Sequence, residues 1–302
     1  MQPIRVKSIT EAHRMLGLPG PQHPLISVLN YAQLQMPDFE GELSAMFDFY
    51  YISLKKGFTN KLFYGQQTYD FDEGMMYFVA PNQVLRGAGP EPGDDLSGWI
   101  LLIHPDLLWG SPLGKNIKKY DFFDYAVNEA LFLSDKEKAI VNGIIDNIQM
   151  EYQANIDKFS QDIIISYIET LLNYAERFYQ RQFLTRKKSN HHILNQVEQH
   201  LNHYFGSEQL LSQGLPTVQY LADALNISAK YLGSLLKQLT GQTTQQHIHE
   251  KLIEKAKEKL STTTLSVSEI AYELGFEHPQ SFSKLFKSKT SLSPLEFRAS
   301  FN

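Results

Sequence analysis

The spacing of apolar residues changes character along the chain. Between about residues 24 and 110 they come as short runs: MFDFYYISLKK at 46–56, Lys61 to Tyr64, Met75 to Val79 and Gly98 to Ile103. Runs this short, separated by Gly, Pro and Asp, predict the strands of a small sandwich or barrel. From Ser134 the period becomes helical. Ser134 and Glu137 have the spacing of a capping box, and Ile140, Ile144, Ile145 and Ile148 follow on one face. A second helix is predicted after Phe159 and Ser160, ending near Phe183, with the apolar stripe Ile164, Ile168, Leu171, Leu172 and Ala175. The polar, basic stretch 185–190 reads as a linker. Beyond it the pattern is helical throughout: His192–Phe205, Val218–Leu225, Ala229–Thr240, His247–Ser261, Val267–Leu274, Pro279–Thr290 and Pro294–Ser300, the last with Ser293 as N-cap. The expected fold is an α+β two-domain chain. Residues 1–185 form a small β-barrel unit with two long helices, and residues 186–302 an all-α unit.

Within the all-α unit a single pattern occurs twice. Leu221, Ala222, Leu225 and Ile227 match Ile270, Ala271, Leu274 and Phe276 at an offset of 49. Past the turn the offset is 50, pairing Leu232, Leu235, Leu236 and Lys237 with Phe282, Leu285, Phe286 and Lys287. One residue is therefore inserted in the second turn. Each copy reads as a helix-turn-helix, whose second helix is held out to enter a DNA major groove. Asn226 and Gly275 occupy the turn position that calls for positive φ. Ser228 is placed to cap the first recognition helix and leave its N-terminus facing a phosphate.

Composition adds limits. The 302 residues carry 42% hydrophobic and 20% charged side chains, ordinary for a globular chain, with no apolar run long enough for a membrane span. The N-terminus lacks the apolar run of a signal peptide, and the absence of cysteine fits a reducing cytoplasm. The net charge of −5 runs against the basic footprint of nucleic-acid binding, but residues 189–302 hold ten Lys/Arg and ten Asp/Glu, so the acidic excess lies upstream. Any DNA binding then depends on local clusters. His191 and His192 point about 100° apart on a helix with no third ligand near, and Asp94 and Asp95 read as a solvated loop.

Residues 193–299 resemble the AraC/XylS family of bacterial transcription activators. The likeness is carried by Ser268–Phe276, by Ser281–Lys287 and by Ser293–Arg298. The departures are Ser291, where the family usually has Gly, Ser281, where it usually has an aromatic, and a linker helix at Lys251–Ala256 without the usual Arg. The resemblance implies base contacts from the exposed start of each recognition helix. In the first these are Lys230, Gly233 and Ser234, two of them tiny. In the second they are Pro279, Gln280, Ser281 and Lys284, where Gln suits adenine and Lys suits guanine. Lys237 and Lys287 suit phosphates, with Ser228 at the helix start; the bland alternative is solvated surface lysine. The implied partners are double-stranded promoter DNA, RNA polymerase, a small-molecule effector and a second copy of the chain, with the stripe on the second long helix as the expected dimer face.

The N-terminal half resembles the cupin-like sensor domains often fused to this DNA-binding unit. Enzymatic cupins hold a metal through several His and a Glu, whereas this region offers only His23 and His104, so no metal, cofactor or catalytic residue is expected. Phe49, Tyr51, Tyr64, Phe78 and Trp99 are candidate lining for an effector pocket, against the simpler reading of barrel core. Three functions stay open: a ligand-controlled regulator, a constitutive architectural DNA-binding protein, and an enzyme. The last needs a metal set or nucleophile that the sequence does not display.

Overall fold

A computed structural model describes residues 3–34, 42–56, 63–64, 67–68, 74–88, 97–126, 129–154, 157–185, 187–207 and 209–300. The chain divides into two compact units, Met1–Gln182 and Phe183–Asn302, three residues before the expected boundary. Among the described residues no helix is long and apolar enough to cross a membrane.

The first unit contains β1 (Ile4–Val6), α1 (Ile9–Met15), β2 (Ile26–Asn30), β3 (Glu42–Phe47), β4 (Tyr50–Lys56), β5 (Phe63–Tyr64), β6 (Gln67–Thr68), β7 (Met75–Val79), β8 (Val84–Ala88), β9 (Ser97–Ile103), α2 (Pro112–Asn116), β10 (Leu131–Phe132), α3 (Asp135–Gln153) and α4 (Ser160–Thr185). The strands form an antiparallel sheet ordered β10-β7-β4-β9-β2, a second sheet β1-β3-β8 and the pair β5-β6. Among the described residues these sheets stay separate and do not close, so the barrel expected from strand spacing is replaced by open layers. The aromatic run 46–56 contributes to both sheets. It reads as one strand but breaks at Asp48 and Phe49, passing from one sheet to the other. Arg5 holds the break by a two-pronged ion pair to Asp48, at 2.8 and 3.1 Å.

Alternation along β4 separates two faces of the larger sheet. Tyr51 and Ser53 join Phe49, Tyr77, Ile100, Leu102 and Val6 in a core that also takes in side chains of the smaller sheet. Ile52, Leu54 and Phe78 lie on the other face, where Phe78 meets Phe122, Phe123 and Tyr179 of α4. Trp99 shares that second face and donates from Nε1 to Asn142 of α3 at 2.9 Å.

Ser134 and Glu137 form the expected capping box at the start of α3. Arg181 of α4 then grips Glu137 at 2.8 Å and the Phe132 carbonyl at 2.7 Å. The stripe Ile164, Ile168, Leu171, Leu172 and Ala175 is at most 2% exposed within the single chain. This corrects the expected dimer stripe: those residues belong to the unit's own interior, while Ile163 and Leu184 of the same helix are exposed. Large apolar side chains are exposed elsewhere, at Trp109 (84%) and Phe159 (56%). The expected linker is corrected too. Residues 187–190 are the first turn of the next helix, which begins two positions after α4 ends.

Candidate nucleic-acid interface

The second unit continues with α5 (Lys187–Phe205), α6 (Gln209–Gln213), α7 (Val218–Ala224), α8 (Ala229–Thr240), α9 (Thr244–Thr262), α10 (Val267–Glu273), α11 (Pro279–Thr290) and α12 (Pro294–Ala299). The duplicated pattern becomes two helix-turn-helix units, α7–α8 and α10–α11. Leu221, Ala222, Leu232, Leu235 and Leu236 are fully buried in the first, and Ile270, Ala271, Phe282 and Phe286 in the second. Leu225, Ile227, Phe276 and Leu285 of the expected cores are only half-buried. The linking helix α9 contacts α5 and α8 of the first repeat and α10 and α12 of the second.

The two turns are built alike. Asn226 has φ 54° and Gly275 φ 80°. This left-handed step lets the next amide reach back across the helix end: Ile227 N donates to Ala222 O, and Phe276 N to Ala271 O, both at 3.0 Å. The recognition helices start differently. Ser228 caps α8, its Oγ accepting from Tyr231 N at 3.1 Å, while α11 opens with Pro279 after His278, which makes no side-chain cap. The inserted residue is absorbed at this second start.

On α11, Gln280, Ser281, Lys284 and Lys287 are exposed, and Pro279 half-buried. Their spacing of three and four residues puts them along one face. On α8, Lys230 and Lys237 are exposed, whereas Gly233 and Ser234 are half-buried. Tyr231, at the place matching Ser281, is 1% exposed and meets Phe183 edge-on at 5.2 Å. The first recognition helix therefore shows less side chain outward than the second. Lys289, exposed in the last turn of α11, was missed because its counterpart in the first repeat is Leu239.

Charge pairing distinguishes several of the lysines. On α9, Lys251 bonds Glu254 at 2.7 Å, Lys255 bonds Glu258 at 2.9 Å, and Lys259 bonds Glu273 of α10 at 2.7 Å. Lys237, Lys284, Lys287 and Lys289 form no ion pair with any described residue. His249 of α9 is held below its ordinary pKa, first by burial and then by the nearby positive charge of Lys289. Three lysines of the linker helix, Lys251, Lys255 and Lys259, are thus neutralised by carboxylates, whereas its exposed Lys257 and the four lysines of α8 and α11 form no ion pair among the described residues.

The aromatic candidates of the first unit do not converge. Phe49 and Tyr51 lie in the core shared with the smaller sheet, Phe78 and Trp99 on the opposite, helix-covered face, and the side chain of Tyr64 lies outside the described residues. Beside Tyr51 the hydroxyls form a cluster. Tyr31 Oη stands 3.1 Å from Tyr51 Oη, 2.8 Å from Ser53 Oγ and 3.2 Å from Tyr77 Oη, with Tyr51 and Tyr77 3.3 Å apart. Lys55 Nζ lies 5.3 Å from the ring centres of both Tyr31 and Tyr77. Burial pushes the Tyr31 and Tyr51 phenols well up; it also pushes at Tyr77, where the Lys55 charge and the hydroxyls outweigh it and bring that phenol below its usual value. His104 caps the turn after β9, accepting from Asp106 N at 3.3 Å.

Residues 221–300 match the family described as Helix-turn-helix domain. The C-terminal unit carries an AraC-type helix-turn-helix domain. The chain is 31% identical over 144 residues to the HTH-type transcriptional regulator YfiF of Bacillus subtilis (strain 168), covering 48% of this chain and 42% of YfiF. It is 34% identical over 111 residues to the HTH-type transcriptional activator RhaS of Enterobacter sp. (strain 638), covering 37% of each. It thus spans less than half the length of these curated relatives. Among solved structures, the C-terminal domain of the two-component response regulator yesN from Fusobacterium nucleatum aligns with 34% of this chain and 93% of its own, at 29% identity and a TM-score of 0.30. The matched residues 221–300 contain α8 and α11 and with them Lys237, Lys284, Lys287 and Lys289.

Proposed function

We propose that this chain is a sequence-specific DNA-binding transcription regulator whose helices α8 and α11 enter two successive major-groove segments of one duplex. The observation that carries the reading is the set of exposed lysines on α8 and α11 that no described carboxylate holds. Lys251, Lys255 and Lys259 on the linker helix are bound to carboxylates, whereas Lys237, Lys284, Lys287 and Lys289 on the recognition helices are exposed and form no ion pair among the described residues. Phosphate binding is driven by releasing condensed counterions, which a lysine already held by a carboxylate does poorly. Lys284 and Gln280 read base edges; Lys237 and Lys287 hold phosphates, with the Ser228-capped start of α8. Gly233 and Ser234 leave the first helix dependent on backbone contacts. The reading includes no catalytic step.

The finer parts of the proposal are promoter activation through RNA polymerase, control by a small molecule bound in the first unit, and action as a homodimer on paired sites. The first is supported by the named role of RhaS as an activator. The second is supported by a separate β unit with a buried polar cluster. The third is supported by apolar surface left at Trp109 and Phe159, and a dimer would gain on paired sites through effective concentration.

Selection of random duplexes with the full chain, followed by footprinting, tests the core of the proposal. The expected result is a preferred sequence with two protected segments about one helical turn, ~34 Å, apart. Recovery of no sequence favoured over bulk DNA sinks it. A thermal-shift screen of small metabolites tests effector control, since a ligand selective for the folded state raises stability.

A further inference from the structure

Two glycines from different segments of the AraC-type unit face each other. Gly214, φ +74°, lies between α6 and α7, and Gly275, φ +80°, is the turn of the second repeat. A methyl group at Gly275 would stand 2.9 Å from the carbonyl oxygen of Leu210 and 3.1 Å from both Cα and C of Gly214. All three are backbone atoms of a neighbouring segment, so no side chain could swing aside to make room. That segment is in turn fixed to the first repeat. Tyr204 Oη donates to Gly214 O at 3.0 Å, the Tyr204 ring meets Tyr220 of α7 at 4.8 Å, and Leu210 is buried.

Backbone conformation alone does not account for Gly275. Gly241 ends α8 with φ +76°, nearly the same angle, and a methyl group there would meet nothing within 4 Å. Asn226 occupies the equivalent turn of the first repeat at φ 54° with a full, exposed side chain. The first turn accommodates the exposed Asn226 side chain at positive φ. The second has no such room, because the α6–α7 loop that leads into the first repeat is its neighbour.

We propose that the contact between Gly214 and Gly275 is a stop that sets the spacing and angle between α8 and α11, and with it the number of base pairs separating the two DNA segments. Helix α9 joins the repeats at one place; the glycine contact joins them at a second, and two joints remove the hinge that one would leave. Gly275 is a positioning residue and touches no DNA. The base-pair consequence rests on the DNA reading above, whereas the fixed geometry of α8 and α11 does not.

The chain has no cysteine, so Gln238→Cys on α8 and Ser288→Cys on α11, both at exposed sites, give two unique positions for spin labels on the full-length protein. The distance distribution between them should be narrow, unchanged by Gly241→Ala, and shifted or broadened by Gly275→Ala. On a series of duplexes with one base pair added to or removed from the selected site, Gly275→Ala should lose roughly tenfold on the native spacing and move or flatten the optimum. Gly241→Ala should keep the optimum. Should Gly275→Ala fail to fold, Tyr204→Phe frees the Gly214 carbonyl without adding an atom, and it should broaden the same distribution. Distributions for Gly275→Ala and Tyr204→Phe that superpose on that of Gly241→Ala, with one common spacing optimum, overturn the proposal. A label distance that responds as expected in a protein that selects no DNA sequence overturns the DNA reading and leaves the positioning inference standing.

Discussion

The two helix-turn-helix repeats solve the same folding problem with different residues, and the differences are reciprocal. The first places Asn226 in its turn and Gly241 at the end of its recognition helix; the second places Gly275 in its turn and Ser291 at the end. All four have positive φ. Each repeat thus uses glycine at one of its two left-handed positions and tolerates a side chain at the other. The interiors differ as well. The first is filled by Leu232, Leu235 and Leu236, the second by Phe282 and Phe286, with Phe276 5.5 Å from Phe282 and Phe297 5.5 Å from Phe286. The outer faces differ in turn: the first recognition helix is small and partly covered, the second carries Gln280, Lys284 and Lys287 in the open. The two repeats share a scaffold and differ in their cores and outer faces.

The comparison can be broken first through the cores. Phe286→Ala removes a buried ring held between Phe282 and Phe297 and should cost about 3–5 kcal/mol. Denaturant unfolding measures it, and a loss below that of Leu232→Ala would mean that the aromatic interior is not the tighter one. Next comes base recognition. Lys284→Ala should cost about 1–3 kcal/mol on a selected site and relax one base preference, while Lys230→Ala should cost less. Equal losses on specific and random duplexes would contradict the division between the two helices. Phosphate contacts come third. Lys237→Ala and Lys287→Ala should each lower the slope of log affinity against log salt by about 1 and weaken all sequences alike; an unchanged slope would return both to ordinary surface. Smallest is the helix end. Ser291→Gly relieves a left-handed serine and should stabilise by about 1 kcal/mol, whereas Gly241→Ala should destabilise by a similar amount. Thermal melts of the pair decide whether the two ends are equivalent.

Much of the helical structure was legible in the sequence because its signals are local. A capping serine with a carboxylate three residues on, a helical stripe and a left-handed turn residue all lie within a few positions. Ser134, Ser228 and Ser293 cap as their neighbours predict. Signals that depend on distant partners were not legible. The break at Asp48 is fixed by Arg5, 43 residues away, in a run whose aromatic pattern looks continuous. Periodicity marked the stripe on α4 as apolar but is silent about what covers it. The polar residues 187–190 are helical although the apolar period that marks this helix in the sequence, Ile193, Val197 and Leu201, starts only after them. Helix α6 is too short to show a period, and Gly214 stands outside both repeats, so nothing in the duplication points to it.

The buried phenols of the first unit have a consequence of another kind. Each hydroxyl owns a single proton, so Tyr31, Tyr51 and Tyr77 can all donate to one another only as a closed loop, running one way round or the other. Ser53 then has to feed its proton into Tyr31 from outside the loop. The two senses of circulation place every heavy atom alike, so diffraction would see one structure where the protons have two. Reversal requires all three to turn together, because any one turning alone would leave an oxygen with no proton to receive and another with too many. In that arrangement the cluster is a small ring with a direction, and a phenol that donated to Ser53 instead would erase it.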